Sequence, residues 1–365
     1  VPDENTEKLN ELFNSLSKAL KKDEHADIVG DDIHLRSFVP YGIRSLPCID
    51  IALGRPGIPV GKVVELYGWE GCGKTTLALH LVAIVQQMGG AALWIDAENA
   101  LDEYRAAQIG VNTQKPHFIT AECETIEGII RTQEKTLDNL QEINYTKPFI
   151  IVTDSVTAVS TEAALRDDFK DEQRPGHEAK QIRAGLKRLC YRLAECKVPS
   201  VFINHNVAKI TRFPGSDRVS AGGHGIKFWA AVRIELAKVM DLRKKVMGDS
   251  VRYGQRVKFT VQKNKVGELA RQSFECNLRN DIGFDVEDNL LDACRWAGMV
   301  TRPASAKDTE ASTIYTFTIG EETTKFKRDE WPGIVQDLGG MEKVWDLMAD
   351  RASYEGILKP YGVEL

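Results

Sequence analysis

The chain has 365 residues, 42% hydrophobic and 28% charged, which is enough for one large core and a second small module. No apolar run approaches the roughly 18 residues a membrane helix needs, and seven cysteines without a C-x-x-C spacing argue for a reducing, cytoplasmic setting and against disulfides or zinc. A formal net charge of −5 does not advertise nucleic-acid binding, although whole-chain balance can hide a local basic surface.

Residues 1–40 begin acidic and polar, unlike a secretory signal, and place Leu9, Leu12, Phe13, Leu16 and Leu20 on one helical face. Lys21-Lys22 follow, where a helix C-terminus favours positive charge. The charged stretch Asp23 to Asp32 separates this helix from the rest, so its apolar stripe needs a partner, either its own core or a neighbouring subunit. Ile33 to Phe38 alternates as an edge or exchanged strand does, and the whole segment reads as an N-terminal oligomerisation helix and strand.

Residues 41–280 carry the main pattern. Val63 to Tyr67 reads as a strand entering Gly68-Trp69-Glu70-Gly71-Cys72-Gly73-Lys74-Thr75, followed by Thr76 and then Leu77, Leu81, Ile84, Val85 and Met88 at helical spacing. The loop fits G-x-x-x-x-G-K-[ST], in which backbone amides cradle phosphates, the lysine reaches the β and γ phosphates and the hydroxyl binds Mg²⁺. A thiol at Cys72 is a candidate for alkylation, or simply a small residue that the loop tolerates.

Strand candidates then alternate with helices at Ala91 to Asp96, His117 to Thr120, Phe149 to Asp154 and Ser200 to His205. That alternation predicts an α/β fold with a mostly parallel central sheet covered on both faces. Phe228 to Leu236, Gln255 to Gln262 and Gln272 to Cys276 read as further, antiparallel strands. In residues 281–365 a helix at Val286 to Ala297, a strand at Thr313 to Thr318 and an aromatic helical tail with Trp331, Trp345 and Tyr354 read as a small α+β domain.

Asp154 ends the most apolar strand, in the pattern of a carboxylate that holds the Mg²⁺ shell behind a phosphate loop. Glu98 follows the strand after the phosphate-loop helix, at the carboxyl edge where ligands bind, and is placed to orient a water at the γ phosphate; a solvated acidic loop is the plain alternative. Lys263 and Lys265 flank Asn264 and so face one way on an extended strand, ordinarily a wet face.

These stretches, with Asp96-Ala97-Glu98-Asn99-Ala100-Leu101-Asp102, Asp154-Ser155-Val156-Thr157-Ala158, Phe202-Ile203-Asn204-His205, Gly222-Gly223-His224-Gly225-Ile226-Lys227-Phe228 and Lys263-Asn264-Lys265, resemble RecA-family strand-exchange recombinases in order and spacing. The likeness covers about residues 40–300, and His205, where bacterial members carry Gln, is similar to the phage UvsX-type members; either a bacterial or a phage source is compatible with it. It implies a RecA-type P-loop ATPase core that uses ATP and Mg²⁺. In that frame Glu98 activates water, His205 senses the γ phosphate, Asp102 and Tyr104 flank the adenine, and Lys263 with Lys265 reach the neighbouring subunit's nucleotide.

The resemblance also implies DNA contacts. One loop runs from about residue 160 to 177 and leads into a helix whose Lys180 and Lys187 match DNA-contacting positions. A second runs from Asn206 to Gly225 with Lys209, Ile210, Arg212, Gly222 and Gly223, where cations neutralise phosphate, Ile210 wedges between bases and glycines admit close backbone approach. The expected protein is a DNA-dependent ATPase that self-assembles as a helical filament on single-stranded DNA and exchanges strands with double-stranded DNA, without a membrane partner. A RecA-fold hexameric helicase and a non-hydrolysing recombinase paralogue that loads the true enzyme are the alternatives.

Overall fold

A computed structural model of the chain describes residues 42–54, 57–162, 165, 175–208, 218–220, 225–267, 273–302, 314–320 and 322–352. The predicted N-terminal helix and strand, most of the residue 160–177 loop, and Tyr354 lie outside these residues.

The central element is a ten-stranded sheet. Its parallel part runs β9 (Val232–Val246), β3 (Val63–Gly68), β7 (Ser200–Ala208), β6 (Phe149–Asp154), β4 (Ala91–Asp96) and β5 (Phe118–Ala121). On the other side of β9 the sheet continues antiparallel through β10 (Asp249–Asn264), β11 (Ser273–Arg279) and β12 (Gly283–Phe284). A short β8 (Arg218–Ser220) pairs with the far end of β7.

Both faces of the sheet are covered, so central strands are apolar without a break. In β6, Ile150 and Val152 enter one core cluster with α2 (Lys74–Gln87), while Phe149 and Ile151 enter another with α4 (Ile126–Glu142) and α5 (Pro175–Cys196). Side-chain alternation on a strand thus serves two helical layers at once. The helices have local reasons to start where they do. Thr125 caps α4 by accepting from the Gly128 amide at 3.0 Å, and Asp102 caps α3 (Glu103–Ile109) by accepting from Tyr104 and Arg105 at 2.9 and 3.1 Å.

One predicted stretch differs, in element type and in pairing: expected as an antiparallel strand, its strand part runs parallel to β3 and antiparallel only to β10. The stretch Phe228 to Leu236 is a short helix, α6 (Gly225–Trp229), and only then strand β9. Ile226 is buried, the Ala230 amide donates to its carbonyl, and pairing begins where the Ala231 amide reaches Val63 O at 2.8 Å. Strand β9 then continues to Val246 and pairs with β10 as a long hairpin. Its outer part is charged and exposed, so no apolar alternation betrays it.

In the C-terminal region α7 (Val286–Trp296) is followed by β13 (Val300–Thr301), β14 (Ile314–Ile319) and β15 (Glu322–Lys327), then α8 (Trp331–Asp337) and α9 (Met341–Ala352). The three strands form a separate antiparallel sheet. Their core includes Tyr315, Phe326 and Trp331, and it takes in Cys48 and Ile51 from α1 (Pro47–Leu53), near the start of the described chain. Among the described residues no helix is long and apolar enough to cross a membrane.

Candidate nucleotide site and its neighbours

The carboxyl ends of β3, β4, β6 and β7 converge on one edge of the sheet. From β3 the chain enters the glycine loop, whose turn is set by left-handed backbone at Gly71 (φ 69°) and Gly73 (φ 97°). At Gly73 a Cβ would meet Leu278 Cδ2 at 2.8 Å and Phe284 Cζ at 3.0 Å, so β11 and β12 press on the loop from behind. Gln255 of β10 also holds it, donating from Nε2 to Gly71 O at 2.7 Å. Helix α2 begins at Lys74 with no side-chain cap, leaving its first amides to a ligand; phosphate is the usual occupant of such a helix start.

Lys74 is only 4% exposed, and its Nζ donates to Gly68 O at 3.1 Å and Trp69 O at 2.9 Å. Cys72 is buried, and burial raises its thiol pKa, so it is a packed small residue rather than a reactive thiolate. Trp69 and Glu70 lie exposed on the loop's outer side, and Thr76 is partly buried in the first turn of α2.

Thr75 Oγ1 donates to Asp154 Oδ2 at 2.7 Å. Burial pushes the Asp154 pKa up to about 6, with the Thr75 bond pulling it back and the charges of Glu98 and Asp96 adding to the rise. A carboxylate crowded by two others, beside a hydroxyl, is a hard-oxygen donor set that fits Mg²⁺. Among the described residues no three or more His, Cys, Asp and Glu side chains form a cage that could hold a metal ion. Mg²⁺ typically takes one or two carboxylates and completes its shell with phosphate and water.

Glu98 sits between two partners. Ser155 Oγ donates to its Oε1, and His205 Nε2 lies 3.1 Å from the same atom. Both side chains keep solvent access, 34% for Glu98 and 27% for His205. Strand register explains the meeting: Asp96 is opposite Asp154 and Gly68 is opposite His205, so the residues just past these ends share one edge. Asp96, which sequence reasoning passed over, fixes the Glu98 loop by accepting from the Ala100 and Leu101 amides at 3.2 and 3.0 Å. Its position before an expected catalytic carboxylate was the available signal. Gln255 had none, because it comes from a distant antiparallel strand.

The other expected residues are less gathered. Asp102 is engaged as a helix cap, and Tyr104, two residues on in the first turn of α3, is 75% exposed. Strand β10 ends at Asn264, so Lys265 begins the following turn and does not share a strand face with Lys263. Asn264 causes this, accepting from the Val266 and Gly267 amides and donating to Leu53 O. Lys263 Nζ donates to Lys227 O and Phe228 O, at the end of α6. Lys187 is exposed on α5, and Lys180 lies on the same helix although its side chain is outside the described set. Lys209, Ile210, Arg212, Gly222 and Gly223 also lie outside the described residues.

A phosphate loop on a parallel strand, a hydroxyl–carboxylate pair and a carboxylate poised on the same edge define a P-loop nucleotide site on a RecA-type sheet. Residues 34–281 match the family model described as the RecA N-terminal domain. The chain is 36% identical over 278 residues to the Protein RecA of Arthrobacter sp. (strain FB24), covering 76% of this chain and 74% of that protein. It is 33% identical over 264 residues to the Protein RecA of Chloroflexus aggregans, covering 72% and 70% respectively. The chain belongs to the RecA family of recombinases. Both relatives are bacterial proteins, and they lend no support to a phage source.

Proposed function

We propose that the chain is a DNA-dependent ATPase that assembles on single-stranded DNA as a helical filament and exchanges strands with homologous duplex, in the cytoplasm of its cell. The observation that carries the reading is Glu98, held at the sheet edge by Ser155 and His205 beside the Thr75–Asp154 pair. ATP is the substrate, seated on the loop amides with Lys74 drawn from its carbonyl partners to the β and γ phosphates. Thr75 and Asp154 would hold Mg²⁺, which would supply positive charge to the phosphoryl oxygens. Glu98 orients the attacking water, and its bond to His205 links that water to the end of β7.

Asp102 and Tyr104 are assigned to the adenine side, and Lys263 and Lys265 to the nucleotide of the adjacent subunit. Lys180, Lys187, Lys209, Ile210, Arg212, Gly222 and Gly223 are assigned to DNA. The residue 1–40 segment is assigned to assembly. A hexameric helicase or a non-hydrolysing loader is not favoured by the family match.

The test is ATP turnover by the purified full chain with and without single-stranded DNA, together with strand exchange. Stimulated hydrolysis and exchanged product are expected. Hydrolysis indifferent to DNA, with no exchange, sinks the proposal.

A further inference from the structure

Beneath the phosphate loop lies a buried charge that the site described above does not use. Glu65, in the middle of β3, is 0% exposed. An isolated carboxylate there would cost many kcal/mol, so it must be paired and fully hydrogen-bonded. Arg233 of β9 supplies the charge, donating from Nε to Oε2, and its guanidinium also lies 4.4 Å from the centroid of the Tyr67 ring. Asn204 of β7, 2% exposed, donates from Nδ2 to Oε1 at 2.8 Å. Because β3 runs between β7 and β9, this trio ties three adjacent parallel strands just below the point where they deliver their ligand residues.

Each end of the trio touches a residue with an assigned role. Asn204 Oδ1 accepts the backbone N–H of His205 at 2.9 Å, so the amide that aims Glu65 also holds the peptide on which His205 rides. At the other end Arg233 is the register partner of Lys263 across a bulge in β10. Burial lowers the Lys263 pKa, with the cations Lys265, Arg233 and Lys227 adding to the fall and Glu65 opposing it.

A buried ion pair contributes little net stability compared with well-packed apolar residues of the same volume. Burying one where two arms of the active site meet therefore suggests a positioning purpose. We propose that Asn204, Glu65 and Arg233 form a rigid positioning relay, through which the placement of His205 at one nucleotide is coupled to the placement of Lys263 toward the next subunit's nucleotide. The relay rests on the ATPase reading above. It predicts that disturbing the trio changes how fast assembled subunits turn over, leaving the strength with which each binds ATP intact. The three side chains are positioning residues, since none of them reaches the phosphate edge.

The test uses the full chain with Asn204→Leu, which removes both hydrogen bonds at similar volume, and Arg233→Lys, which keeps the charge beside Glu65 and shortens its reach. The readouts are kcat and KM for ATP with saturating single-stranded DNA, ATP affinity in the absence of DNA, and the thermal midpoint. The relay predicts a DNA-stimulated kcat lowered about tenfold by Asn204→Leu and a few-fold by Arg233→Lys, with ATP affinity within about twofold of the parent in both. Unchanged kcat in a folded Asn204→Leu protein overturns the relay. So does a loss of ATP affinity in Arg233→Lys that parallels its loss of thermal midpoint, because that is the signature of simple structural damage. If Asn204→Leu does not fold, Arg233→Lys alone decides between the same outcomes. A parent chain without DNA-stimulated turnover would overturn the enzymatic reading itself, and is distinguished by needing no variant.

Discussion

Glu98 owes its place to a hydroxyl and an imidazole contributed by two other strands. Replacing it with Gln keeps the shape and the Ser155 bond but removes the proton acceptor, so Glu98→Gln should bind ATP normally and hydrolyse it about 10²- to 10⁴-fold more slowly. Single-turnover hydrolysis beside an ATP-binding titration checks this. Lys74 presents the opposite case, since its ammonium is already satisfied by two carbonyl oxygens and must leave them for phosphate. Lys74→Ala should weaken ATP binding by tenfold or more, and Trp69, 45% exposed on the same loop, is a fluorescence reporter for the measurement. The identity of these residues was legible because the phosphate loop is contiguous, Asp154 ends a strand and Glu98 follows closely on the end of another. Asp96 was legible only through its position before Glu98, and Gln255 was not legible at all, because it binds the backbone of the phosphate loop from a distant strand, which leaves no local pattern.

The loop's support comes from β10 to β12, elements far from it in the chain. Gly73 faces Leu278 and Phe284 at a positive φ, so Gly73→Ala meets both a backbone preference and a steric wall. It should lower stability by about 1–3 kcal/mol and displace the loop, seen as a reduced thermal midpoint together with weaker ATP binding. Under the same strands His80 Nε2 accepts the Phe284 amide at 2.9 Å, which requires the neutral ring. Burial, with Arg105 nearby, lowers its pKa to about 4. The unfolded chain takes up this proton as pH falls below about 6.5 while the folded chain does not, so the stabilisation is complete above that pH and is lost toward pH 4. Burial raises the Asp50 and Asp154 carboxyls to about 7 and about 6, which acts in the opposite sense over the same interval, so the His80 contribution is read as a difference: in denaturant titrations the stability of the parent relative to His80→Gln should fall as pH drops from about 6.5 toward 4. At this scale the strands buried on both faces were readable from unbroken apolar runs. The long charged hairpin and helix α6 were not, since pairing and a buried Ile226 decide them.

Across the whole molecule, α1 belongs by packing to two places. It leads into the β2 (Ile58–Pro59) and β3 region, yet Cys48 and Ile51 lie in the same apolar cluster as Leu290, Tyr315 and Trp345. Removing residues 286–352 would bare that face, so the truncated chain should lose thermal midpoint by more than about 5 °C, whereas an independent C-terminal appendage would leave it unchanged. Differential scanning calorimetry separates the two. By itself the sequence determined the phosphate loop, the alternation of strand and helix and the family, because each is written in contiguous residues of fixed spacing. Only the tertiary structure decided that Glu98 meets His205, that Glu65 is neutralised by Arg233, and that Lys263 and Lys265 part at Asn264. The two pairings, and the bond from Asn264 to Leu53 O at the parting, depend on strand order and packing, which bring together residues more than a hundred positions apart and leave no mark in local spacing.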